Sequence, residues 1–171
     1  NVTFTVAANG TTPLSYQWRL EGANIAGATG ATLNLTGVST NQAGSYTCVV
    51  TNMAGSATSA AATLTVNTPP SITTQPASQS VTAGANLSFT VAASGTTPMS
   101  YQWRLNGANI SGATSATLNL TSVTTNQAGN YTCVVTNVAG SATSATAVLA
   151  VTALPVAPTI TTQPISRTVA V

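Results

Sequence analysis

Hydrophobic and polar residues alternate in short runs along the chain. Leu87, Phe89 and Val91 alternate with Ser88 and Thr90. Met99, Tyr101, Trp103 and Leu105 share the next parity, and Leu118 and Leu120 share one face of Thr117 to Val123. Tyr131, Cys133 and Val135 point one way while Thr132, Val134 and Thr136 point the other; Ala145, Ala147, Leu149 and Val151 close the series. A period of two marks half-buried strands. The breaks are turn-forming: Gly95 to Pro98, Asn106-Gly107, Asn126 to Gly129 and Asn137 to Gly140. Asn-Gly between alternating runs is a strong tight-turn signal. No stretch has helical periodicity. Short strands parted by Gly, Pro and Asn turns predict an all-β sandwich or barrel.

The same pattern occurs earlier at an offset of 85 residues, the separation of Tyr16 from Tyr101. Val2, Phe4, Val6, Trp18, Leu33, Leu35, Tyr46, Cys48, Leu64 and Val66 form the first copy's candidate apolar set. The repeat predicts two domains, 1–67 and 68–152, with 153–171 as a linker and a further strand. Before the second copy lies an extended leader interrupted by proline, Ile72 to Val81 (ITTQPASQSV). Asn1 aligns with Asn86, so the first copy has no such leader. A fresh one, Ile160 to Val169 (ITTQPISRTV), follows the second copy. The joins Asn67 to Ser71 and Thr152 to Thr159 carry prolines, which favour extended, semi-rigid spacers, so a rod of beads is expected.

Composition narrows the chemistry. The charged side chains are Arg19, Arg104, Arg167 and Glu21, and the net charge is +2. So few groups make no basic field, which argues against nucleic acid as a partner. With no His, Asp or Lys, neither a Ser-His-Asp nor a Cys-His arrangement can be assembled, and an enzyme is not expected. One carboxylate is too few for a calcium site, so no metal or other cofactor is expected. No apolar run reaches the length of a membrane span. Cys48 and Cys133 occupy equivalent positions in separate copies, so they read as two buried thiols. Trp18 and Trp103 share parity with Leu20 and Leu105, and read as core rather than as sugar-stacking platforms.

Three motifs carry a family resemblance: Tyr-x-Trp (Tyr16 to Trp18, Tyr101 to Trp103), Ala-Gly-x-Tyr-Thr-Cys (Ala43 to Cys48, Ala128 to Cys133) and Val-Thr-Asn-x-Ala-Gly-Ser (ending at Ser56 and Ser141). They resemble bacterial immunoglobulin-like domains of intermediate-set character. The resemblance implies that Trp18 and Trp103 pack between two sheets, and that Tyr46 and Tyr131 make the corner hydrogen bond of that fold. It places the first cysteine of an intersheet disulfide at Val6 and Val91, where it is absent. Gln42 and Gln127 stand where the family usually has Asp. Such arrays are mostly secreted or surface-attached, which implies an extracellular or cell-surface location and a role as stalk, spacer or adhesin.

In that fold the leader pairs with the second strand and then with the last. A first domain without a leader exposes an acceptor edge, expected here at Val2, Phe4, Val6, Leu64 and Val66. Open edges recruit strands. The expected donor strand is Ile160, Thr161, Thr162, Gln163, Pro164, Ile165, Val169 and Val171 of a neighbour. The expected core residues are Trp18, Tyr46, Cys48, Trp103, Tyr131 and Cys133. The resulting expectation is a structural subunit or repeat unit of an extracellular filament or surface stalk. Its partners are copies of itself, joined head to tail by strand complementation or as one continuous array. The alternative is an adhesin or carbohydrate-binding spacer of a larger secreted protein, whose partner is a surface glycan or host protein.

Overall fold

A computed structural model describes residues 1–170. The described chain is built from strands with two short 3-10 turns, Thr40–Gln42 and Thr125–Gln127. Contacts divide it into two compact units. The first takes Asn1–Pro69 with the turns Gly95–Pro98 and Asn137–Gly140, and the second takes the remainder.

In the first copy, β1 (Val2–Thr5), β2 (Ser15–Leu20), β3 (Ala23–Asn24), β4 (Thr32–Leu35), β5 (Gly44–Asn52), β6 (Gly55–Thr58) and β7 (Ala62–Leu64) form two sheets. β1 pairs antiparallel with β4, setting Val2 opposite Leu35 and Phe4 opposite Leu33. The facing sheet runs β3-β2-β5-β6, with β7 also on β5. Trp18 lies opposite Cys48, and Leu20 opposite Tyr46. The alternation is what closes the sandwich. Every second residue of β5 is buried (Tyr46, Cys48 and Val50) and packs with Trp18, Leu33 and Leu35. Phe4 stacks on Tyr46 with ring centroids 4.7 Å apart.

The second copy adds two strands at its start. Its elements are β8 (Ser71–Thr74), β9 (Gln79–Thr82), β10 (Leu87–Thr90), β11 (Ala92–Ser94), β12 (Ser100–Leu105), β13 (Ala108–Asn109), β14 (Thr117–Leu120), β15 (Gly129–Asn137), β16 (Gly140–Thr143) and β17 (Ala147–Thr152). β10 pairs with β14, and the larger sheet runs β13-β12-β15-β17-β9 with β16 on β15. The leader is split as its proline predicts. β8 joins β11 antiparallel, and β9 joins β17 parallel, with Leu149 opposite Gln79 and Val151 opposite Val81. Phe89, Trp103, Tyr131, Cys133, Val135 and Leu149 fill this core.

All six expected core residues are buried: Trp18, Tyr46, Cys48, Trp103, Tyr131 and Cys133. Both cysteines are free thiols. The tryptophan indoles are satisfied from within, each Nε1–H donating to a backbone carbonyl, Gly30 at 3.0 Å and Ser115 at 2.9 Å. Two expectations shift. β14 ends at Leu120, short of the expected Val123, although Val123 is fully buried, because Ser122 turns the chain at φ 48°. The last strand begins at Ala147, because the Ala145 amide is taken by the Gln75 side chain.

Candidate functional site

The site is the edge of the first sandwich that no strand of the described residues covers, whose counterpart in the second sandwich is filled. In the second, the leader engages through side chains as well as backbone. Ile72 and Val81 pack on the core, and Pro76 is buried between the two half-strands. Gln75 Oε1 accepts from the Ala145 amide at 2.8 Å, and Ser78 Oγ accepts from the Val148 amide at 2.9 Å. Gln79 Nε2 donates to the Ser88 carbonyl of the facing sheet at 2.7 Å. The join contributes too. Asn137 Nδ2 donates to the carbonyls of Thr68 and Thr96, both at 2.8 Å, Pro70 is buried, and Pro69 lies against Gly140.

Among the described residues no such partner occupies the equivalent positions of the first sandwich, and the local structure there differs. Ala7–Asn9, equivalent to β11, is not a strand, and β7 stops at Leu64 where β17 continues to Thr152. Phe89, Val91, Val123, Ala147 and Leu149 are each 0–2 % exposed. Their counterparts Phe4, Val6, Val38, Ala62 and Leu64 are only half-buried. Asn52 Nδ2 donates to the single carbonyl of Thr11 at 3.0 Å. Nothing lies within 4 Å of a Cβ built on Gly55. A groove of about 280 Å³ opens there, lined by Ala8, Asn9, Leu14, Val50, Asn52 and Gly55 among others.

The backbone that pairs with the leader in the second sandwich, Ala92–Ser94 and Leu149–Thr152, corresponds to Ala7–Asn9 and to Leu64 to Asn67 of the first, a stretch that includes Leu64 and Val66 of the expected acceptor edge. Val2 and Phe4 lie outside it: β1 is already paired with β4 and both side chains turn into the core. Val6 also packs inward, and its amide donates to the Ala31 carbonyl at 2.9 Å.

The expected donor residues Ile160, Thr161, Thr162, Gln163, Pro164, Ile165 and Val169 form no strand within this chain, and all are exposed. Val171 lies outside the described residues. Within the second sandwich the tail has no place to pair, because β8 and β9 already occupy that edge. The tail nevertheless repeats the leader at an offset of 88, the separation of Ile160 from Ile72. It differs only at Ala77/Ile165, Gln79/Arg167 and Ser80/Thr168. The identities therefore include every leader residue that packs or bonds through its side chain except Gln79. Ser166 and Pro158, equivalent to Ser78 and the buried Pro70, were not among the expected donor residues. The Ser78/Ser166 identity was visible in the chain, but the amide it serves was not.

Arg19 and Arg104 hold neighbouring hairpin residues, Nε donating to Asn24 Oδ1 and Asn109 Oδ1 at 2.8 and 2.9 Å. No helix among the described residues is long and apolar enough to cross a membrane.

The immunoglobulin domain profile matches residues 1–52 and 69–137. No curated protein matches the chain. Among solved structures, an I-band fragment of titin, I67-I69, is 26% identical with a TM-score of 0.73, covering 89% of this chain and 60% of the fragment. The N-terminal four immunoglobulin domains of Dscam1 isoform 6.9 are 26% identical with a TM-score of 0.64, covering 88% of this chain and 40% of theirs. Extracellular domains 3-5 of Drosophila OTK share the fold at 22% identity and a TM-score of 0.62, covering 88% of this chain and 56% of theirs. The chain thus spans three-fifths or less of these structures. Two sandwiches with a core tryptophan, a corner tyrosine and the matching profile place the chain in the immunoglobulin domain family.

Proposed function

We propose that the chain is a structural repeat unit of an extracellular filament or surface stalk. In this reading the segment 159–171 of one copy completes the first sandwich of the next. One observation carries it: no strand of residues 1–170 covers the edge of the first sandwich that corresponds to the leader's place on the second, and the tail carries the side chains that the leader uses there. Gln163 and Ser166 would accept from the amides of Ala60 and Thr63, while Ile160, Pro164 and Val169 would cover Phe4, Val6 and Leu64. This is strand addition, in which main-chain bonds supply affinity and alternate side chains supply register. A head-to-tail contact that does not close yields an open filament. Likeness to multi-domain fragments of titin and of Dscam1 supports a structural or adhesive module over a catalytic one, and the extracellular domains of OTK lend support to the location.

Sedimentation velocity of the full chain against the chain lacking 159–171 tests the reading. The full chain is expected to form larger species as concentration rises, seen by electron microscopy as threads, while the shortened chain stays monomeric. A full chain that stays monomeric at every concentration overturns the reading. Denaturing mass spectrometry of native material then separates two versions of the same contact. A mass of 16.9 kDa means separate subunits, and multiples of it mean one continuous array.

A further inference from the structure

The four charged residues of the chain fall into two kinds. Arg19 and Arg104 are equivalent to each other. Glu21 and Arg167 are not matched: Glu21 stands where the second copy has Asn106, and Arg167 where the leader has Gln79. These two exchanges, of opposite sign, meet in one row across the completed first sandwich.

The row is traced from the second sandwich. Gln79 lies opposite Leu149, and Leu149 lies opposite Gly129. Asn106 Oδ1 accepts from the Asn130 amide at 2.9 Å and would stand 2.7 Å from a Cβ on Gly129. The sequence of positions is therefore Asn106, Gly129, Leu149, Gln79, in which Leu149 is buried, Gln79 reaches the opposite sheet and Asn106 stands exposed at the end of the row. The first sandwich repeats it. Glu21 Oε1 accepts from the Ser45 amide at 2.6 Å and would stand 2.6 Å from a Cβ on Gly44. Gly44, at φ 144°, is opposite Leu64. The next place in the row belongs to residue 167 of an incoming tail.

Resting on the strand-addition reading, we propose that Glu21 of one copy and Arg167 of the preceding copy's incoming segment form an ion pair across Leu64, and that this pair selects the tail and fixes its register. Two strand spacings separate Gly44 from the incoming strand, about 9.6 Å. A long arginine side chain covers much of that span toward the Glu21 carboxylate, which lies beside Gly44. The stem lies along Leu64, as arginine stems do on apolar surface. Arg19, the nearest cation in sequence, is engaged with Asn24. A one-residue slip of the tail turns Arg167 to the other face of the sheet and leaves Glu21 without a cation. The second sandwich's own leader, with Gln79, brings none.

The test is a double-mutant cycle on the full chain, using the residues that the second copy itself carries: Glu21→Asn, Arg167→Gln and both together. Chain–chain dissociation constants come from sedimentation velocity at low and high salt. Each single variant is expected to weaken association about three- to fivefold at low salt, the range of a partly exposed pair. The double variant is expected to be no weaker than either single one. The exchange E21R/R167E restores association, and high salt removes the differences. Association that survives with additive effects of the two substitutions, or with none, overturns the ion pair and leaves strand addition standing. A wild-type chain that does not associate overturns both.

Discussion

Tyr46 and Tyr131 each donate a hydroxyl to the carbonyl four residues earlier, Gln42 at 2.7 Å and Gln127 at 2.8 Å. The bond pins the 3-10 turn to the strand that follows it. Gln42 and Gln127 also reach back with Oε1 to the amides of Ser39 and Thr124 at 3.0 and 2.8 Å, so an uncharged residue caps the turn where the family usually has an aspartate. Removing the hydroxyl in Tyr131→Phe leaves the core shape intact and deprives the Gln127 carbonyl of its donor. A loss of about 1 kcal/mol is expected in urea unfolding. The thiols are the other residue-scale marker. Burial pushes Cys48 and Cys133 above the ordinary thiol value of 9.0, and pushes the two corner tyrosines above 10.0. The folded chain therefore holds these protons more tightly than the unfolded chain. Their contribution to stability is complete below those ordinary values and is lost as pH rises through the raised ones. The urea midpoint is expected to be insensitive to these groups near neutrality and to fall once pH passes about 9. A thiol reagent should label neither cysteine in the native protein and both after unfolding.

The leader is the element that separates the two sandwiches. Parallel pairing with β9 carries β17 through Leu149 to Thr152, whereas the equivalent stretch beyond Leu64 has no partner and no strand. Amide exchange is expected to be slow across β17 and fast from Leu64 to Asn67 in the isolated chain, with protection appearing at Ala60, Thr63 and Val66 when chains associate. Ile72→Ala should destabilise the second sandwich by about 1–2 kcal/mol, below the cost at a fully buried site because Ile72 stays half exposed. Much of this was legible in the chain. Alternation located the strands that bury Trp18, Tyr46, Cys48 and their counterparts, and Pro76 marked where the leader changes sheets. What alternation could not supply was the bonding partner of each polar side chain. Gln75 and Ser78 look like ordinary exposed residues until the amides of Ala145 and Val148 are seen to need them, and Glu21 looks like a turn residue until Gly44 opens a path beside it. That Val2 and Phe4, expected on an acceptor edge, are already paired with β4 escaped the pattern for the same reason. Period-two patterning tells which face is buried but not which edge is already paired.

At the scale of residues 1–171, two sandwiches of one design differ in how far their edges are covered, and in a chain of these residues their stabilities should differ with it. Urea unfolding of the isolated chain is expected to proceed in two steps. The first sandwich should open at lower denaturant, and a synthetic peptide spanning residues 156–171 should shift that step alone to higher concentration, because a ligand that binds only the folded form stabilises it by mass action. A single step unaffected by peptide would count against the open groove. The parallel register of β9 on β17 has one more consequence. The chain enters the second sandwich through β8, passes into the start of β9 and leaves through the end of β17, so tension that reaches β9 drags β9 and β17 past each other along their length. Their cross-strand bonds share that load together instead of parting one after another, as they would at a hairpin. A tail seated the same way on the end of β7 would put each junction under the same sliding load, and a junction loaded in this manner resists a pull far better than the strength of its individual bonds suggests.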